Sequence, residues 1–399
     1  MISNPFEATE LTPVTLLTGF LGSGKTTVLN HLVRQPSLAR TLVIINEFGD
    51  VGLDHLLMSR VADDTMIELS SGCLCCTIRG DLITTLRDAG WRYTVAGEQR
   101  FDRVVIETTG LADPAPIIHT LMTVDAIARR YRLDGVVTTI DLTSAEATLD
   151  AQPEAVKQAA MADCLLLTKR DLVDEEQAAA LEQRLQRINP AAKRLEAQQG
   201  QVAAADLLGL GLFNATDKIP DVARWLNEEA YAEAPDEAQG ALAHHSAHQD
   251  EEAGESGDAC GHASGHAEHH DQGHSHPSHH HGSGHDHDHV HDVNRHDDRI
   301  QSFSIFVEKP IPDAMLDAWL DLLLALCGQD MLRIKGILNV RGRTKPIVIH
   351  GVQHLFYPPV ELPAWPSDDQ RSKLVFITRD VSRAVIEETL EAFLDTWPD

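Results

Sequence analysis

Short aliphatic runs recur through the first half of the chain, at residues 14–18 (VTLLT), 41–45 (TLVII), 103–107 (RVVIE), 135–141 (GVVTTID) and 164–168 (CLLLT). Most are apolar at consecutive positions rather than at alternate ones, so as strands they are hydrophobic on both faces. Strands of that kind belong inside a sheet covered on both sides, and the helical patterns between them supply the crossovers of parallel pairing. The pattern predicts an α/β domain with a doubly wound, mostly parallel sheet.

Past residue 300 the pattern changes. Residues 302–307 read as a strand, 312–326 as a helix, 333–340, 345–350 and 373–378 as strands, and 382–396 as a closing helix. Taken as βαββαβ, this order is compatible with a small α+β sandwich of the ferredoxin-like kind. Between the two patterned regions the chain is nearly devoid of aliphatic residues and rich in Gly, Ser, Asp and His. Such a segment buries too little apolar surface to offset the entropy of ordering it, which predicts a disordered linker. The expected division is 1–231, 232–300 and 301–399.

Composition narrows the partners. No stretch approaches the roughly 18 apolar residues of a membrane span, and the first twenty residues lack the basic start and apolar run of a secretion signal. A soluble, cytoplasmic protein without a membrane partner is expected. Acidic residues outnumber basic ones 61 to 33, for a formal charge of −28, which argues against a nucleic-acid partner. Six cysteines in 399 residues are too few and too clustered for a disulfide framework, and point to metal ligation or thiol chemistry. None of these features fixes an oligomeric state.

The chemistry begins at residues 19–26, GFLGSGKT, which follow the first strand and open a helix. The spacing G-x-x-x-x-G-K-[ST] is that of a phosphate-binding P-loop. Gly19, Gly22, Ser23, Gly24 and Thr27 belong to this cradle, Lys25 neutralises the β/γ charge, and the Thr26 hydroxyl can ligate Mg²⁺. Residues 168–171, TKRD, follow the last apolar strand in the position of the guanine motif of P-loop GTPases. Asp171 can accept two hydrogen bonds from guanine, whereas adenine would leave that carboxylate facing an acceptor. Lys169 would lie along the base. Between the two motifs, ETTG places Glu107 and Gly110 where GTPases carry D-x-x-G, the carboxylate serving Mg²⁺ and the glycine the γ-phosphate.

A third cluster sits between these elements. Cys73, Cys75 and Cys76 crowd a Ser-Gly turn, and NEFGDVG upstream adds Glu47 and Asp50 as further candidate ligands. Thiolate-rich tetrahedral sites suit Zn²⁺, and Co²⁺ fits the same geometry. A redox role is the weaker reading, because the neighbouring chemistry is nucleotide binding.

Taken together, GFLGSGKTT, NEFGDVG, GCLCC, ETTGLADPAPI and LLTKRD, in this order, resemble the CobW-like metallochaperone GTPases. RIKGILNV and VFIT resemble their C-terminal domain. The resemblance covers nearly all of the chain except the histidine-rich linker. It implies GTP binding, slow hydrolysis to GDP and phosphate, and delivery of Zn²⁺ or Co²⁺ to a client metalloprotein, with the C-x-C-C cysteines as metal ligands. Two positions depart from the family pattern: Ile45 stands where some members have glutamate, and Asp50 replaces a common glutamate. His119, after ADPAPII, is a further nitrogen-ligand candidate, although on an apolar helix a packing histidine is the commoner case.

Seventeen of the 22 histidines fall in the linker, in runs such as HSHPSHHH and HDHDHVH, and Cys260 lies among them. Several weak, exchanging metal sites are expected there, with a capacity that falls below roughly pH 6 as imidazoles protonate. The leading reading is a GTP-hydrolysing metal-insertion protein in which Lys25 and Glu107 act catalytically. Leu111 and Ala112 follow Gly110 where signalling GTPases carry a water-positioning glutamine, so slow turnover is expected. A non-enzymatic, histidine-rich metal store and a P-loop kinase are the alternatives.

Overall fold

The computed structural model describes residues 11–47, 66–70, 76–95, 98–210 and 299–396. The first region is built on β1 (Thr12–Gly19), α1 (Lys25–Leu32), β2 (Thr41–Glu47), β3 (Met66–Ser70) and α2 (Cys76–Arg92). A small hairpin of β4 (Thr94–Val95) and β5 (Glu98–Gln99) precedes β6 (Arg103–Glu107), α3 (Ala115–Thr123) and α4 (Asp125–Ala128). Then come β7 (Tyr131–Asp141), α5 (Ala145–Ala151), α6 (Pro153–Met161), β8 (Cys164–Thr168), α7 (Glu175–Ile188), β9 (Lys193–Ala197) and α8 (Ala204–Leu207).

Seven of these strands form one sheet in the order β3-β2-β6-β1-β7-β8-β9, and every pair is parallel. Consecutive residues serve opposite faces. Val14 and Leu16 pack with Leu82 and Leu86 of α2 and Ile118 of α3, while Leu17 packs with Val28 and Leu29 of α1. That double burial accounts for the apolar runs in the sequence. The two strands that the patterning missed, β3 and β9, are the sheet edges. Their sequences, MIELS and KRLEA, carry charges where the inner strands carry aliphatics.

The second region contains β10 (Ile300–Val307), α9 (Asp313–Cys327), β11 (Met331–Leu338), β12 (Ile347–Val352), the two-residue strands β13 (Leu355–Phe356) and β14 (Val360–Glu361), β15 (Ser372–Arg379) and α10 (Arg383–Thr396). Its antiparallel sheet runs β10-β15-β11-β12-β13, with β14 paired to β12. The α+β class holds, but the order is not βαββαβ: the closing helix follows the last long strand instead of preceding it. Trp319, Phe376, Ile334 and Ile386 are among the residues that fill its core.

The second region packs on the first through polar as well as apolar groups. Leu332 and Ile377 join the apolar cluster around α6 and α7. Beside them, Asp163, at the amino end of β8, forms ion pairs with Arg333 and with Lys335 (3.1 Å), all three being at most 8% exposed. Asp163 also accepts the Val136 N–H at 3.0 Å. Buried charge is tolerated only when it is matched in this way. Burial opposes ionisation of Asp163, but the two cations outweigh it and hold the carboxyl far below its usual range.

Candidate functional site

The P-loop leaves the central strand at Gly19 and turns through residues 20–24 into α1. Gly24 takes φ of 92°, a left-handed conformation that suits glycine and turns the chain into the helix. The Ser23 hydroxyl donates to Phe20 O at 2.7 Å and lies 2.6 Å from the Thr139 hydroxyl, so the loop is closed from inside. Lys25 folds its ammonium back onto Gly19 O (2.9 Å) and Phe20 O (3.0 Å). An amine so placed spans the loop, ready for the anionic oxygens that a P-loop receives.

Opposite it, Glu107 ends β6 at 4% exposure, and its Oε1 accepts a 2.7 Å hydrogen bond from the Thr26 hydroxyl. Residues 81 positions apart in the chain are thereby joined across the crevice between β1 and β6. A hydroxyl and a carboxylate are the hard oxygen donors that Mg²⁺ prefers, so the pair fits that ion. Past Glu107 the chain turns at Gly110, which presses on the P-loop: a Cβ there would lie 2.6 Å from Leu21 N. Only glycine permits this approach of the two backbones.

The TKRD segment is tied to the same loop. The Thr168 hydroxyl donates to Ser23 O at 2.8 Å, and Lys169 reaches Asp141 Oδ2 at 2.6 Å. Asp141 ends β7, next to the P-loop strand, and its other oxygen accepts from the Thr143 N–H (3.0 Å) and hydroxyl (2.7 Å). Burial works against its ionisation, yet Lys169 and Thr143 hold the carboxyl below the usual carboxylate range. Asp171 is exposed on the short turn that follows. Asp141 was absent from the residues singled out in the sequence. Its signal was present, since it closes an apolar strand just as Glu107 does.

The metal-ligand expectations are placed less completely. Glu47 closes β2 and Cys76 opens α2, while Cys73, Cys75 and Asp50 lie outside the described residues, as do Cys260 and the histidine tract. Strand register sets Ile45 beside Glu107 and Glu47 beside Ser70. Among the described residues, no group of three or more His, Cys, Asp or Glu is arranged to hold a metal. His119, half-buried on α3, stacks at a tilt 5.3 Å from the ring of His354 in the second region, with the Thr123 hydroxyl 3.1 Å from its Nδ1.

A P-loop opening α1, a buried carboxylate ending the adjacent strand and a T-K-x-D turn tied to the loop define a P-loop nucleotide-binding protein of the doubly wound, parallel-sheet class. Residues 13–196 match the CobW/HypB/UreG nucleotide-binding domain, and residues 300–394 match the cobalamin synthesis protein cobW C-terminal domain. The chain is 30% identical to the zinc chaperone YjiA of Escherichia coli over 365 residues, 91% of this chain and 93% of that protein. It therefore belongs to the CobW family of GTPase metallochaperones.

Two other relatives match over shorter spans. Zinc-regulated GTPase metalloprotein activator 1 of Schizosaccharomyces pombe is 38% identical over 196 residues, 48% of this chain and 46% of that protein. The zinc chaperone CobW of Sinorhizobium is 35% identical over 233 residues, 51% of this chain and 64% of that protein. The crystal structure of the Zn(II)-bound YjiA GTPase from E. coli shares the fold, with a TM-score of 0.60 at 24% identity, covering 96% of this chain and 99% of that one.

Proposed function

We propose that this chain is a GTP-dependent metallochaperone, which binds Zn²⁺, or Co²⁺, at Cys73, Cys75 and Cys76 and hands it to a client metalloprotein as GTP is hydrolysed to GDP and phosphate. Lys25 receives the β/γ-phosphates, Thr26 and Glu107 hold Mg²⁺, Gly110 meets the γ-phosphate, and Asp171 selects guanine while Lys169, steadied by Asp141, lies along the base. Mg²⁺, when bound, would neutralise charge on the phosphates. Glu47 and Asp50 are proposed to complete the cargo site. The nucleotide region is taken as 1–231, a histidine-rich metal-gathering linker as 232–300 and the C-terminal domain as 301–399. No described helix is long and apolar enough to cross a membrane, and a cytoplasmic location is part of the proposal.

One observation carries the coupling of nucleotide to metal. Glu107, already bonded to Thr26 of the P-loop, sits in register beside Ile45, two residues before the candidate ligand Glu47 on the same strand. A displacement at the phosphate edge of β6 therefore reaches β2 through direct backbone pairing. The relatives named as zinc chaperones support zinc as the cargo. Linkage makes the effect reciprocal: if GTP tightens the metal site, metal tightens GTP binding by the same factor.

The test is a Zn²⁺ titration with GDP, with a nonhydrolysable GTP analogue and with no nucleotide, repeated on Cys75→Ala. The expected outcome is a nucleotide-dependent affinity that the substitution abolishes. Equal affinity in all three states, with many ions bound after Cys75→Ala, would instead identify a metal store held by the linker histidines.

A further inference from the structure

Gln158 lies on α6 at 1% exposure, and its side chain is turned toward the segment that follows Glu107. Its Nε2 donates to Gly110 O at 3.1 Å and to Ala112 O at 2.9 Å. Its Oε1 is buried without a hydrogen-bond partner among the described residues. A neighbouring residue of the same helix, Lys157, forms an ion pair with Asp113 one position further on. Two side chains of α6 thus grip the turn that holds Gly110 against Leu21 of the P-loop.

The other end of α6 is held by the second region of the chain. Arg333 Nη1 donates to Met161 O and to Ala162 O, at 2.6 Å each, while Nη2 pairs with Asp163. Carbonyls at a helix carboxyl end have no partner within the helix, and a buried end needs donors from elsewhere. Here a guanidinium from β11 supplies them to Met161 and Ala162, alongside the Asn189 amide, which donates to Ala159 O, Ala160 O and Ala162 O. A single short helix thus has its middle bound to the Gly110 turn and its end capped in part by the C-terminal domain.

We propose that Gln158 is a positioning residue for GTP hydrolysis, fixing the Gly110 turn for the γ-phosphate, and that Arg333 of the C-terminal domain sets its place through α6. This rests on the reading of Gly110 as the γ-phosphate contact. The chemistry selects the residue: two carbonyl oxygens converge on one point, and an uncharged amide offers two N–H donors on one nitrogen. A carboxylate there would set acceptor against acceptor. Because the turn meets only the γ-phosphate, GDP affinity is independent of it. The C-terminal domain then bears on the triphosphate state without touching nucleotide, and GTP bears in turn on the seating of that domain.

The experiment measures affinities for GDP and for a nonhydrolysable GTP analogue, with single-turnover GTP hydrolysis, on the full chain carrying Gln158→Glu, Gln158→Met or Arg333→Lys. The Gln158→Met side chain is near in volume and apolar, so that variant keeps the test alive if the charged one does not fold. Arg333→Lys keeps the charge beside Asp163 but lacks the fork that reaches both carbonyls and the carboxylate. The expected result is GDP affinity within about twofold of the parent and analogue affinity and hydrolysis lower by about tenfold in the Gln158 variants, roughly the loss of a pair of ordinary hydrogen bonds. A smaller shift in the same ratio is expected for Arg333→Lys. Equal losses for GDP and analogue, or no loss, would reduce Gln158 to a packing role and overturn the proposal, and an unchanged ratio in Arg333→Lys would overturn the part assigned to the C-terminal domain. If the parent chain binds neither guanine nucleotide, the GTPase reading itself fails and the inference falls with it.

Discussion

At the carboxyl ends of β1 and β6, charged groups rest on partners that a ligand can replace, Lys25 on two loop carbonyls and Glu107 on the Thr26 hydroxyl, and at that of β7 Asp141 braces Lys169. At the opposite end of the same sheet, Asp163 is matched by Arg333 and Lys335 with the whole cluster out of water. Both ends carry carboxylates and cations within hydrogen-bond distance. The difference lies in geometry and access. An ammonium resting on neutral carbonyls turns to an anionic oxygen at little cost, whereas cations paired with a buried carboxylate leave it only by stranding that charge. The first arrangement suits a binding site, and the second fastens two regions of the chain together.

Breaking the buried cluster has the largest expected effect on folding. Arg333→Ala strips Asp163 of its forked partner and leaves Asn189 to cap the end of α6 without it, and removing one member of a buried pair costs about 3–5 kcal/mol. Urea unfolding followed by circular dichroism reads this directly. Lys25→Ala sharpens the contrast from the other side. It is expected to lower GTP hydrolysis by about 10²–10³-fold, the usual cost of losing one transition-state charge contact. Unfolding stability should move by less than about 1 kcal/mol, since hydrogen bonds to loop carbonyls contribute little net stability. A large stability loss with Lys25→Ala would erase the distinction between the two ends.

The smallest effect is one of pH. His350 stacks on Tyr357 at 4.7 Å beside the Asp163 cluster, and its Nε2 is buried without a hydrogen-bond partner among the described residues. Burial, reinforced by Arg333 and Lys335 against the opposing pull of Asp163, pushes the imidazole well below its usual value of 6.5. The unfolded chain then binds a proton that the folded chain does not. Stability from this group is complete above pH 6.5 and declines as the pH falls below it, by at most about 1.4 kcal/mol per unit. Denaturation midpoints between pH 7 and 5 should slope less steeply in His350→Asn, if that variant folds; identical slopes would mean that His350 does not carry the effect.

The inner strands were legible because burial on both faces writes the same signal at every position, and residues 103–107 and 164–168 match β6 and β8 end to end. The edge strands β3 and β9 were not, since a strand with one neighbour need not be apolar throughout. The long C-terminal elements were found in their order along the chain, but that order was mislabelled as βαββαβ. Pairing the first strand of that region, β10, with its last, β15, is a long-range choice that local patterning does not encode. Among candidate site residues, Lys25 and Thr26 were readable because a P-loop packs its chemistry into eight consecutive residues. Glu107 and Asp171 were readable because each follows or ends an apolar strand in a fixed order.

The sequence by itself determined the class of sheet and the phosphate loop, both of which are written in short runs of neighbouring residues. Only the tertiary structure decided which side chain answers which. Asp141 meets Lys169 across 28 residues, Gln158 meets Gly110 across 48, and Arg333 meets Asp163 across 170. No local composition marks such partners, because a lone Gln or Arg on a helix or strand reads as an ordinary polar position. Close packing brings them out of water together, and the cost of leaving a buried polar group unmatched then specifies the pairing.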